Sequence, residues 1–293
     1  MDSLTSFSPR QVAPDTFVLP AFTPLPFGGV LPLHAFLIKG AEPVLIDTGA
    51  GPLRDAFVRH LETLVDLRDL RYVWLTHTDP DHTGALDLVL RAAPQARVVV
   101  GMMGAAKFGL TGAVPAERLH VLAPGDRLDL EGRTLTALRP PTYDAPETIA
   151  AFDGTTRTFF AADSFASVLQ APAEWAEAIA PTQVREGMVG WATVDTPWLG
   201  QVDAARFRQG LEAIRRLQPE RILSSHLPPA AGMTDALLAH LAATADALVA
   251  AETRMAEDTP MAEETPVTAE GPMPAETLAA GTLPAEMPAA VAG

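Results

Sequence analysis

A buried strand that ends in a crowd of metal-binding side chains leaves a chain few ways to fold. The run RYVWLTH (71–77) reads as such a strand and passes directly into TDPDHTG, so that His77, Asp79, Asp81 and His82 fall within six positions. Capping of the next helix by Asp81 or Thr83 would explain one of these side chains, not four. Loops at the ends of buried strands open at a sheet edge, where ligands gather. Within this loop, positions 77 and 79 face one way, while 81 and 82 turn toward a second point. That arrangement suits two metal ions rather than one.

Two other strand ends carry comparable residues: Asp163 of FFAADSF and His226 of LSSHLPP. The surrounding pattern supplies the scaffold. HAFLIKG (34–40) and EPVLIDTGAG (42–51) read as a hairpin, with Asp47-Thr48-Gly49 closing its second strand. LRDAFVRHLETL (53–64) has helical spacing, GALDLVLRAAP is a helix ended by Pro94, and ARVVVG (96–101) is a further buried strand. The middle, RLHVLAPGDRLDLEGRTLTALRPP, gives short antiparallel strands broken by Pro-Gly-Asp and Glu-Gly-Arg turns, and a hairpin around Asp153-Gly154 ends at Asp163. Residues 202–218 form an amphipathic helix, ERILSSHLPPAAG (220–232) a strand that expires at His226, and MTDALLAHLAATADALVAAE a closing helix. GMVGWATVDTPWLG reads as loop-rich, with Trp191 and Trp198 packed as core or lid. Strand-helix order in two similar halves predicts an α/β fold of two mixed sheets with helices outside, spanning residues 1–251.

Composition narrows the chemistry. There is no cysteine, so disulfides and thiolate sites are excluded and any metal is held by His and carboxylates. The formal charge of −15 argues against a nucleic-acid surface. No charged start followed by an apolar core marks a secretory signal, and Pro, Gly or a charge interrupts each apolar run before the ~18 residues a membrane span needs. A cytoplasmic protein is the expectation. Residues 252–293, dominated by Ala, Glu, Thr, Pro and Met and without aromatics, read as a disordered acidic tail that solubilises the chain.

At this point the chain resembles the metallo-β-lactamase superfamily, which carries H-x-H-x-D-H at the end of a strand. Asp47 of LIDTG, the Thr76–Gly84 run, Asp163 and His226 match in order and context over about residues 35–230. The resemblance implies an αββα sandwich with a dinuclear site at one sheet edge. Asp79 stands where the superfamily has its second His, and PPTYDAPET (140–148) offers Asp144, with Tyr143 as competitor, where a further His is usual. That pattern is similar to the flavodiiron and oxygen-binding di-iron branch, although that branch carries Glu rather than Asp at position 79. By the resemblance, His77, Asp79, Asp144 and Asp163 hold one metal, and Asp81, His82, Asp163 and His226 hold the other. Asp47 is expected behind the ligands rather than among them.

Four carboxylates facing two divalent ions bring the net charge near zero. Such a site generates hydroxide less readily than an H-x-H-x-D-H site, and its hard oxygen donors favour iron or manganese over zinc. The leading expectation is therefore two metal ions, iron first with zinc or manganese as alternatives, binding or reducing O2 or NO. The stretch after residue 251 carries no phosphate loop or aromatic flavin clamp, so electrons would come from a separate partner, or the protein would act as a sensor. The alternative is a metallohydrolase of an ester, lactone, thioester or phosphoester using a bridging hydroxide. A homo-oligomer is compatible with either. His60 and His240 are expected to face solvent, His120 to sit at a strand edge, and His34 to begin a strand near the site without serving it.

Overall fold

The computed structural model describes residues 3–258. Its larger sheet runs, edge to edge, through Leu119–Val121, Arg97–Val100, Tyr72–Trp74, Val44–Ile46, Ala35–Ile38, Thr16–Leu19 and Arg10–Ala13. The first four strands are parallel and the rest antiparallel, with Phe36 opposite Ile46 in the expected hairpin. The second sheet runs through Arg127–Leu130, Arg133–Leu138, Ala150–Asp153, Thr158–Phe160, Arg221–Leu223 and Ala230–Ala231. It is antiparallel except where Thr158–Phe160 runs beside Arg221–Leu223. A small third sheet joins Thr5–Ser6, Ala21–Pro24 and Val30–Pro32.

Alternation along each strand builds the layers. Trp74, Ile46, Phe36 and Val99 point from the first sheet toward Leu135, Phe160 and Leu223 of the second. Their neighbours Val73, Leu45, Leu37 and Val98 point the other way, as the period of two requires. Helices α1 (Arg54–Glu62), α2 (Pro80–Thr83), α3 (Leu86–Ala92) and α4 (Met102–Thr111) follow strands of the first sheet, and Phe57, Leu61, Val89 and Phe108 cover its outer face. Helices α5 (Pro181–Asp195), α6 (Ala204–Leu217) and α7 (Thr234–Asp258) belong to the second, where Met188, Leu211, Leu237 and Leu241 pack on Phe159 and Ile222. The αββα sandwich of two mixed sheets follows.

Three sequence expectations are corrected. The stretch containing Trp191 is not loop-rich: it lies inside α5, followed by a 3-10 turn at Pro197–Gln201. Helix α4 and the strands before residue 33 were not expected at all. The segment Thr234–Met255 of α7 is long and apolar enough to cross a membrane by composition, with a mean hydropathy of 1.2. Leu237, Leu238 and Leu241 of this segment sit in the core. The closing helix continues to Asp258, and the acidic tail beyond it lies outside the described residues.

Candidate metal centre

The carboxyl ends of three strands meet at one edge of the sandwich. Tyr72–Trp74 leads to His77, Asp79, Asp81 and His82, Thr158–Phe160 to Asp163, and Arg221–Leu223 to His226. Asp163 lies at the centre. Its Oδ2 is 3.3 Å from His77 Nε2, while its Oδ1 is 3.2 Å from both His82 Nε2 and His226 Nε2. Asp81 Oδ2 lies 3.5 Å from His82 Nε2 and 3.6 Å from His226 Nε2. On the other side, Asp144 Oδ1 is 3.8 Å from His77 Nε2. His77, Asp79 and Asp144 thus form one three-residue cluster, and Asp81, His82 and His226 another. Asp163 reaches both, and every residue expected as a ligand is in one of these groups. Tyr143 is not: it stacks on Trp198 with centroids 5.3 Å apart, beneath the Arg139 guanidinium.

Asp79 precedes α2 as its N-cap yet makes no side-chain cap, so its carboxylate is free for the cluster. It shares a hydrogen bond with Asp144, and burial raises both carboxyls, Asp79 being partly relieved by His77 and Asp144 pushed further by Asp163.

The three histidines are held by their Nδ1 atoms. His226 Nδ1 lies 2.7 Å from the Pro32 carbonyl. His82 Nδ1 lies 2.9 Å from Asp47 Oδ2. The same carboxylate accepts the Thr76 N–H at 2.8 Å and the Thr76 hydroxyl at 2.9 Å. With its proton committed to Asp47, Thr76 Oγ1 is an acceptor toward His77 Nδ1, 3.1 Å away. Each ring therefore has Nδ1 against a fixed acceptor and turns Nε2 inward, the atom on which a metal would take the place of a proton. Asp47 lies behind the rings, with its carboxylate on His82 and Thr76. It does so with φ of +59° and 1 % exposure, a left-handed backbone that aims its carboxylate under the loop. The role of Thr76 was missed, because one threonine at a strand end carries no sequence signal of its own.

The donor set can be tested for fit to cations. His77 Nε2, His82 Nε2 and Asp163 Oδ1 are buried and have no hydrogen-bond partner. Sealed polar atoms without partners cost about 1–3 kcal/mol each, so three converging ones need a counterpart. The electrostatics ask for positive charge. Burial opposes ionisation of His82, but Asp163, Asp47 and Asp81 outweigh it and hold the ring well above the ordinary histidine range. His226, likewise buried, is pushed up to about 9 chiefly by Asp163. His77 is lowered by burial and by His82. Divalent cations fit these residues.

Around the site, the Thr78 hydroxyl donates to Glu147 Oε1 at 2.8 Å, and Lys107 of α4 contacts both. This ties the 77–82 loop to the segment that bears Asp144. Trp191 lies against His226 with centroids 6.1 Å apart. His34 is buried beside the site, His120 is in the sheet-edge strand as expected, and His240 is half-buried rather than solvent-facing.

Asp195, at the end of α5, lines a small cavity with Asp163 and Trp191. Burial, then the negative charge of Asp163, push its carboxyl up to about 7 from an ordinary 3.8. The folded protein therefore keeps a proton between those values that the unfolded chain releases. This group's contribution is present below 3.8 and lost as pH rises toward about 7. In metal-free protein, thermal unfolding across that window should decline with pH less steeply in Asp195→Asn than in the wild type. Parallel curves would refute the shift.

Comparisons with known proteins place the fold in a family. The ODP family beta lactamase model matches residues 31–226. Diflavin flavoprotein A 1 of Thermosynechococcus vestitus is 37 % identical over 133 residues, 45 % of this chain and 23 % of that protein. The chain thus spans about a quarter of the length of the curated relatives it matches. A variant of the flavo di-iron protein of Thermotoga maritima superposes with a TM-score of 0.71 at 18 % identity, covering 83 % of this chain and 62 % of that one. Rubredoxin oxygen:oxidoreductase of Desulfovibrio gigas superposes with 0.69 at 16 % identity, covering 84 % and 62 %.

Proposed function

From the premise that this chain belongs to the ODP beta-lactamase family, in the flavodiiron branch of the metallo-β-lactamase superfamily, we propose that it holds two iron ions and binds or reduces O2 or NO. The reading rests on one observation: two adjacent clusters rich in carboxylates, with Asp163 reaching into both. His77, Asp79 and Asp144 would hold one ion, Asp81, His82 and His226 the other, with Asp163 between them. Iron held by these residues would supply redox chemistry toward a diatomic molecule. Names of relatives support the chemistry: one is a flavo di-iron protein and another an oxygen oxidoreductase that takes rubredoxin as partner. The protein is proposed to receive electrons from a separate donor, or to serve as a sensor without rapid turnover.

The residues do the rest. Asp47 and Thr76 fix the tautomers of His77 and His82, and Pro32 fixes that of His226, so three imidazoles enter the site in one orientation. The carboxylates of Asp79, Asp81, Asp144 and Asp163 offset the charge of two divalent ions, which disfavours hydroxide formation and hydrolysis. Trp191 packs on His226 and restricts water at that side. Nothing among the described residues favours a hydrolase instead.

Protein loaded anaerobically with ferrous iron should change its visible absorption on exposure to air and consume O2 when given reduced flavin or rubredoxin. An iron form inert to air, beside a zinc form that hydrolyses esters or thiolactones, would contradict the proposal.

A further inference from the structure

Behind the metal site, the N-terminal strand carries a second concentration of unpaired polar atoms. Arg10, at the start of Arg10–Ala13, has Nε and Nη1 buried without a partner. Its guanidinium lies over Trp175, 5.2 Å from the ring centroid. Burial lowers its pKa and Glu174 raises it, yet the two form no ion pair among the described residues. His34 is also buried, with neither ring nitrogen bonded, and it packs edge-on against Phe22 at 5.1 Å. Burial and the nearby Arg10 charge keep that ring neutral, with a pKa of about 3.

Arg10 lines a pocket of about 170 Å³ together with Phe7, Pro20, Phe22, Pro172 and Glu174. That volume equals roughly six waters. Phe7 and Phe22 meet edge to face at 5.7 Å and, with the prolines, make its walls apolar. Two nitrogens of this guanidinium are sealed, while Nη2 is not among the sealed atoms, and because Arg10 lines the pocket a negative partner can approach that open edge from it. Glu174 lines the same pocket and repels any anion brought to Arg10, a doubly charged phosphate about twice as strongly as a single carboxylate, so the smaller charge is favoured.

We propose that this pocket is a binding site for a small monocarboxylate with an apolar body, its carboxylate on Arg10 and its body among Phe7, Phe22 and the prolines. The site does not depend on the metal-centre reading. Its wall residue Phe22 pairs with Pro32 in the small sheet, in the segment that orients His226: the His34 N–H donates to the Ser225 carbonyl at 2.8 Å, and Pro32 holds the His226 ring.

Calorimetry and ligand-observed NMR on the full chain, with benzoate as probe and benzamide as its uncharged counterpart, test the assignment. Benzoate should bind saturably at one site per chain, and benzamide about tenfold more weakly or not at all. Arg10→Gln should lose a similar factor. Ala173→Phe, which places a large side chain in the pocket wall and keeps Arg10, should block binding even if Arg10→Gln folds poorly. Absence of saturable benzoate binding, equal binding of benzamide, tighter binding of inorganic phosphate, or an unaffected Ala173→Phe variant would overturn the proposal.

Discussion

Asp47→Ala is expected to cost the fold about 3 kcal/mol and to weaken metal binding by about 10–100-fold, although Asp47 is not itself placed among the ligands. The loss has two origins. The Thr76 N–H and hydroxyl, both 1 % exposed or less as part of a buried residue, lose the carboxylate that accepts them at 2.8 and 2.9 Å. A buried donor left unpaired pays its full desolvation penalty. The second origin is orientation: His82 loses the anchor on its Nδ1, and the Thr76 hydroxyl no longer has a reason to point away from His77. Alanine also fits the φ of +59° less readily than aspartate. Asp47→Asn separates these effects. It tolerates the backbone and still accepts the Thr76 N–H, but its amide places a donor opposite His82 Nδ1. Its thermal stability should recover most of the loss while metal affinity stays low. If Asp47→Ala melts and binds metal like the wild type, the relay through Thr76 does not orient the rings.

Gly84→Ala should be the most damaging glycine substitution near the site, at about 3 kcal/mol or more. The backbone there is ordinary right-handed helix, with φ of −61°, so conformational freedom is not the reason for glycine. Space is the reason. The Gly84 N–H donates to the Gly49 carbonyl at 2.7 Å, the Ala85 N–H to Thr48, and Thr48 returns both its N–H and its hydroxyl to the His82 carbonyl. These bonds zip the Asp47–Gly51 turn against the end of the ligand loop. A Cβ on Gly84 would lie 2.1 Å from Gly51 N and 2.5 Å from the Gly49 carbonyl oxygen, both rigid backbone. The turn and loop must separate, carrying Asp47 away from His82. Gly109→Ala in α4, where a Cβ meets nothing, provides the control and should be neutral or stabilising by up to about 1 kcal/mol. Denaturant unfolding of both variants checks the contrast, and equal effects would refute the close-approach account.

How much of this was legible in the sequence depended on whether a residue's role leaves a local pattern. The ligand loop was legible because four ligand types within six positions have no other economical explanation. Asp163 and His226 followed from their places after buried strands, and the two-sheet sandwich followed from alternating strand and helix patterns. Asp144 was reachable only through the resemblance, since a lone aspartate in PPTYDAPET looks like any turn. Thr76 and Pro32 were invisible, because they act through a hydroxyl and a carbonyl that three-dimensional contact alone recruits. Helix α5 was misread for a physical reason: Gly187 and Gly190 mimic a loop. Gly187 is there for packing, since a Cβ on it would lie 2.2 Å from the Val168 carbonyl oxygen. Helix α4 hid in the same way, where a Cβ on Gly104 would lie 2.4 Å from Val100 Cγ2. The strands before residue 33 are two to four residues long and broken by Pro and Gly, too short for periodicity to register.

The most direct test of the paired site is the iron content of anaerobically loaded wild-type protein and of Asp163→Ala, with Mössbauer spectra of both. The wild type should retain two irons per chain with spins coupled through a shared ligand, and the variant should lose at least one iron together with all coupling. A wild type that binds a single uncoupled iron, or a variant that keeps a coupled pair, would contradict the central claim that one carboxylate serves two neighbouring ions.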